Sequence, residues 1–148
     1  MQVLFIQGIM SQRHITPPRS LAYSTEASLD SSRLSIHHSK FLRSKPDHTK
    51  VQFGLAGCSD HMLTVGWKDG VGWEEPRIVP YGGITLDPCS KVLHYAQEVF
   101  EGMKAYRGAD GQIRMFRPHL NMERMVTGAQ RAQLPTFPPE QLMRCINR

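Results

Sequence analysis

LHYAQEVFEGMKAYRGADGQIRMFRPHLNMERMVTGAQRAQL, residues 93 to 134, decides the fold. It predicts a helix, a tight hairpin and a second helix. The first helix opens at Pro88-Cys89-Ser90, with Ser90 as its cap. Val92, Leu93, Ala96, Val99 and Phe100 follow at helical spacing, and Gly102 ends the helix by taking a left-handed backbone. Met103 to Arg107 and Gln112 to Arg117 flank Gly108-Ala109-Asp110-Gly111, a hairpin signal. Pro118 suits the first turn of the next helix, where it gives up no needed donor. On that helix Met122, Met125, Val126, Ala129 and Ala132 share one side. The methionines could pack a core or form an adaptable partner groove, and core packing is the simpler reading. Arg124 and Arg131 stand on a different side with Leu120 and Gly128, so the core does not account for Arg124.

Upstream, Met62 to Trp67 alternates as a strand should, and Asp69-Gly70 with Gly72 supplies a turn. Arg77 to Tyr81 is a second extended piece, which Gly82-Gly83 turns into the short run Ile84 to Leu86. These connections are too short for crossover helices, so the sheet is expected to be antiparallel. Downstream, Pro138-Pro139-Glu140 opens a helix with Leu142, Met143, Cys145 and Ile146 on one side. The sequence stops at Arg148 without a helix-ending signal, which predicts a truncated product.

With 148 residues, 40% hydrophobic and 21% charged, the chain has the makings of one globular domain. The net charge of +5 is unevenly placed. Residues 1 to 50 hold seven Lys or Arg against three Asp or Glu, and the remainder hold eleven against ten. A near-neutral domain argues against a nucleic-acid face. Nine of the eleven serines lie in the first 50 residues, and no acid precedes Glu26. That composition predicts a disordered arm over 1–50 of transit-peptide type, with Arg19 to Ser24 resembling a mitochondrial cleavage context and an untargeted tail as the alternative. The apolar run Val3 to Ile6 is too short to span a bilayer. Cys58, Cys89 and Cys145 are odd in number and widely spaced, as in reduced thiols. His37-His38 lacks the further ligands of a metal site, and Asp60-His61 lacks a nearby nucleophile, so both pairs are read as surface or structural residues.

Five short strings occur in order: Asp60-His61-Met62-Leu63, His94-Tyr95, Phe100-Glu101-Gly102, Arg117-Pro118 and Asn121-Met122-Glu123-Arg124. Together they resemble the branched-chain amino-acid aminotransferases, pyridoxal-phosphate enzymes of the class IV fold. The resemblance runs from Phe53 to Ile146. It implies an α+β fold: the small amino-terminal domain of such an enzyme over 51–148, an antiparallel sheet with flanking helices, cut off before the second domain. It implies pyridoxal 5'-phosphate as cofactor, branched-chain amino acids and 2-oxo acids as substrates, and a homodimer as the parent assembly. Arg124 matches the arginine that contacts the cofactor phosphate, a role that suits a planar fork which never loses its charge. Without that match, Arg124 reads as a solvated helix arginine paired with Glu123 or another neighbour. Tyr95 and Phe100 match residues of the substrate side-chain pocket. Phe53 matches another pocket aromatic, or is an ordinary core ring.

The resembled enzymes also need a Schiff-base lysine and an acidic partner for the pyridine nitrogen, both supplied by their larger second domain. None of Lys40, Lys45, Lys50, Lys68, Lys91 and Lys104 stands in a matching context, so no catalytic residue is assigned and the chain alone is expected to be inactive. Two other functions fit the sequence less closely: a non-catalytic module pairing with an intact subunit, and nucleic-acid binding through the basic arm. A mitochondrial location follows from the leader reading, with the cytoplasm as the alternative.

Overall fold

Among the described residues, the Ser-rich sequence before residue 50 supplies the first regular element, because its few apolar residues have somewhere to go. In the computed structural model, which describes residues 26–44 and 58–148, Asp30 caps a single 3-10 turn over Ser31–Arg33 by accepting from the backbone N–H of Ser32 at 2.9 Å. Strand β1, Ser35–Ile36, follows. Leu29, just upstream, is only 2% exposed. The boundary expected at residue 50 therefore does not separate an unstructured arm from a domain. Burying Leu29 is worth about 1.5–3 kcal/mol, and a serine-rich composition does not cancel one well-placed leucine.

The next elements are β2, His61–Thr64, then β3, Trp67–Lys68, β4, Gly72–Trp73, and β5, Arg77–Pro80. The sheet order is β1-β5-β2. Strand β2 runs antiparallel to β5, with His61 opposite Pro80 and Thr64 opposite Arg77, whereas β1 runs parallel to β5, with Ser35 opposite Arg77. The sheet is thus mixed, not purely antiparallel as expected. The parallel pair arises because the arm, read as lying outside the domain, adds its own strand.

The strand expected over Met62 to Trp67 breaks after Thr64. The carbonyl of Gly66 accepts from the N–H of Glu74 at 2.8 Å, and β3 leaves to pair with β4 across the Asp69-Gly70 turn. Gly72 has φ +97°, and a side chain there would run into the backbone of Ala27, whose N–H and carbonyl bond Val71 and Trp73 at 2.9 and 2.7 Å. Only glycine permits that approach. Ile84 to Leu86 forms no strand.

Helix α1 is Lys91–Tyr95. It is half the length expected, because Ala96 takes the left-handed conformation (φ 48°, ψ 37°) that had been assigned to Gly102. Ser90 precedes it without a side-chain capping bond and is itself buried. Strands β6, Ala105–Arg107, and β7, Ile113–Met115, form the expected hairpin. Helix α2 covers Pro118–Arg131 and α3 covers Pro139–Ile146, each with its proline at the first position.

The core joins the arm to the helices. Leu29, Met103, Met122, Met125, Phe137 and Leu142 form one cluster, with Leu63, Trp73 and Met115 packed against it. Met122, Met125 and Ala129 bury at helical spacing. The methionine face of α2 is therefore core and not a groove. Gln141 on α3 ties down the arm by accepting from the N–H and hydroxyl of Ser31 at 2.9 and 2.7 Å. Cys58, Cys89 and Cys145 form no disulfide among the described residues, and burial raises the pKa of Cys145. Among the described residues no helix is long and apolar enough to cross a membrane.

Candidate functional site

Asn121, Arg124 and Gly128 recur at intervals of three and four on α2, so they share a face turned away from Met122 and Met125. An extended stretch, Gln97 to Gly102, lies along that face in the opposite direction. Gln97 Nε2 donates to the carbonyl of Ala132 at 3.1 Å. Val99 sits over Gly128, where any Cβ would crowd its methyl. Glu101 then reaches the helix at Asn121 and Arg124. These non-local contacts explain why α1 stops at Tyr95: a helix continued through Phe100 would forgo them all. Tertiary contacts outweigh a left-handed alanine costing about 1–2 kcal/mol.

Three donors converge on the Glu101 carboxylate. Arg124 Nε donates at 3.0 Å and Arg124 Nη2 at 2.9 Å, while Asn121 Nδ2 donates at 2.9 Å and also bonds the carbonyl of Gly102. The Glu101 side chain is 13% exposed and that of Arg124 is 60% exposed. Arg124 holds the Glu101 carboxyl below its ordinary range, against a smaller opposing effect of burial. Glu101 in turn raises the pKa of Arg124, which is charged in any case.

The exposed part of Arg124 faces a shallow depression of about 360 Å³ that it lines with Leu120, Glu123 and Thr127. Glu101 occupies the side edge of the guanidinium, Nε with Nη2. Among the described residues nothing accepts from Nη1, which leaves the end of the fork available. Glu101, not Glu123, is the arginine's partner. Within Phe100-Glu101-Gly102 nothing in the sequence points to a role for Glu101. No spacing rule links residue 101 to residue 124, because a hairpin separates them.

Phe100 adjoins Glu101 and is 62% exposed. Tyr95 ends α1, is 79% exposed and stacks edge-on to His94 at 6.4 Å between ring centres. Among the described residues no hydrogen bond or ring contact joins Tyr95 to Arg124. Phe53 lies outside the described residues. Asp60 and His61 tie down the arm: Asp60 Oδ1 accepts from the N–H of Arg43 at 2.7 Å and His61 Nε2 from that of Ser39 at 2.8 Å. Among the described residues no group of three or more metal-ligating side chains occurs.

A phosphate dianion fits this donor set as a single contact. Arg124 offers one open fork end, already oriented. With Glu101 paired to the guanidinium, this pair carries no surplus positive charge, so further donors must complete an anion site.

No protein-family model matches the chain. The chain is 50% identical over 113 residues to the cytosolic branched-chain-amino-acid aminotransferase of Mus musculus, covering 76% of this chain and 29% of that protein. It is 46% identical over 124 residues to the cytosolic branched-chain-amino-acid aminotransferase of Saccharomyces cerevisiae, covering 84% and 33%. It is 43% identical over 115 residues to the mitochondrial branched-chain-amino-acid aminotransferase of Mus musculus, covering 78% and 29%. The chain spans about a third of the length of the curated relatives it matches.

Proposed function

Because this chain is homologous over most of its length to branched-chain-amino-acid aminotransferases, we propose that it is one part of such an enzyme, from the small domain of the class IV fold. The whole protein would transfer the amino group of leucine, isoleucine or valine to 2-oxoglutarate. Arg124 would give one contact to the phosphate of pyridoxal phosphate. That cofactor, when bound, supplies the electron sink that makes amino transfer possible.

What this chain's residues do is narrower. Arg124 binds anionic oxygen with the end of its fork, and Glu101 keeps the guanidinium from swinging. Tyr95 and Phe100 would contact the branched side chain of the substrate, and Phe53, which lies outside the described residues, is assigned to the same pocket by resemblance. The supporting observation is that Arg124, Tyr95 and Phe100 all lie outside the methionine core with much of their surface uncovered. Large exposed rings in a small domain mark surfaces that something else covers.

The anchoring lysine lies outside these 148 residues in this reading. Purified chain given leucine, 2-oxoglutarate and pyridoxal phosphate therefore forms no glutamate above background; sustained glutamate formation would overturn the assignment. The homodimer of the parent enzyme and a mitochondrial leader in the first residues belong to the same proposal. The curated relatives include both mitochondrial and cytosolic forms, so the cytoplasm is the alternative. Import of a fluorescent protein fused behind residues 1–50 decides between them.

A second reading, a non-catalytic module that pairs with an intact subunit, draws on the β6–β7 hairpin. Among the described residues it has two strands, and it exposes Tyr106, Ile113 and, just beyond β7, Phe116 at 54%, 67% and 76%. Co-sedimentation with a full-length aminotransferase subunit supports it, and sedimentation as an unaffected monomer excludes it.

A further inference from the structure

A guanidinium can meet an oxyanion with its side edge, Nε and one Nη, or with its end, Nη1 and the outer N–H of Nη2. Both are bidentate, but they place the anion on different sides of the arginine. In this molecule the choice is already made. The Glu101 carboxylate takes the side edge of Arg124 with both oxygens, at 3.0 and 2.9 Å. It cannot rotate away freely, because Asn121 Nδ2 holds the Oε1 atom at 2.9 Å and is itself fixed to the carbonyl of Gly102. The carboxylate is largely covered while the guanidinium is largely open. The anchor is therefore the acid and the presented group is the base.

We propose that Glu101 is a positioning residue, which reserves the side edge of Arg124 and presents only the end of the fork to an incoming phosphate. This rests on the phosphate role of Arg124 proposed above and adds a geometric restriction to it. Two consequences follow. An anion bound by Arg124 approaches from the depression lined by Leu120 and Thr127, and not from the side of the Gln97 to Gly102 stretch. Arg124 also keeps its acidic partner while holding the anion, so its affinity for phosphate alone stays low and added donors decide occupancy. Two charge-assisted bonds in parallel fix both the distance and the plane of the pair, which holds one edge closed.

The test is nitrogen-15 NMR of the 148-residue chain labelled at arginine, with the Arg124 Nε–H assigned by its loss in R124K. In the unsubstituted chain this proton exchanges with water at least about tenfold more slowly than in E101A. Inorganic phosphate moves the Nη resonances of Arg124 and leaves Nε–H in place, whereas in E101A phosphate moves Nε–H too. Should E101A fail to fold, the isosteric E101Q, which removes the charge and replaces one of the two acceptor oxygens with a donor, is expected to change both readouts in the same directions. Equal exchange in the unsubstituted and substituted chains, or a phosphate-shifted Nε–H in the unsubstituted chain, overturns the proposal. Slow exchange with no phosphate response in any variant upholds the positioning by Glu101 and removes the phosphate role of Arg124.

Discussion

At Glu101 one carboxylate serves three N–H donors, and its energetics set a pH dependence that can be measured. Its pKa in the folded chain is lowered, chiefly by Arg124. The stabilisation from this pair is therefore complete above the ordinary glutamate value of about 4.3 and is lost as pH falls through the lower folded value. Because Arg124 is largely solvated, E101Q costs about 1 kcal/mol at pH 7. Thermal unfolding of the two proteins should differ near neutrality and converge in acid, once pH has fallen below the lowered folded value of Glu101. A gap that persists unchanged in acid would mean that packing, not charge, holds Glu101. The sequence made Arg124 legible, since a charged residue off the core stripe demands a reason. Its partner was not legible, because the pairing depends on how the chain returns after a hairpin.

The elements divide by how local their causes are. Helix α2 was readable from Pro118 and the spacing of Met122, Met125 and Ala129. The β6–β7 hairpin was readable from its glycines, and α3 from Pro139 with Leu142 and Cys145. In each the deciding residues lie within one or two turns of each other. Helix α1 is shorter than its apolar spacing predicts, because Val99 and Phe100 continue a helical spacing that the chain leaves in favour of contacts with α2. The left-handed Ala96 gives a test. A96G removes a strain of about 1–2 kcal/mol in exchange for the smaller entropic cost of glycine, so urea unfolding should shift slightly to higher denaturant. If the helix instead ran through Phe100, glycine at 96 would sit mid-helix and lower stability by about 1 kcal/mol. M122A, at a side chain with 0% exposure, should cost about 2–5 kcal/mol in the same experiment.

On the scale of the whole molecule, the arm is part of the fold from Glu26 to Ser44. Leu29 sits among residues of α2 and α3, β1 completes the sheet, and Ser31 is held by Gln141. Composition hid this because serine content describes an average, while docking needs only one buried leucine and two strand residues. L29A is expected to lower stability by about 2–5 kcal/mol, and deletion of residues 1–50 to abolish cooperative unfolding; a deletion variant as stable as the full chain would contradict the structure. The described residues leave Tyr95, Phe100 and Phe116 in solvent, which agrees with a chain spanning about a third of its relatives. The proposed contact of Arg124 with the cofactor's phosphate is tested most directly by phosphorus-31 NMR of pyridoxal phosphate, titrated with this chain and with R124Q. The resonance should shift with the unsubstituted chain and require at least about tenfold more R124Q for the same shift; equal responses from the two proteins would contradict the claim.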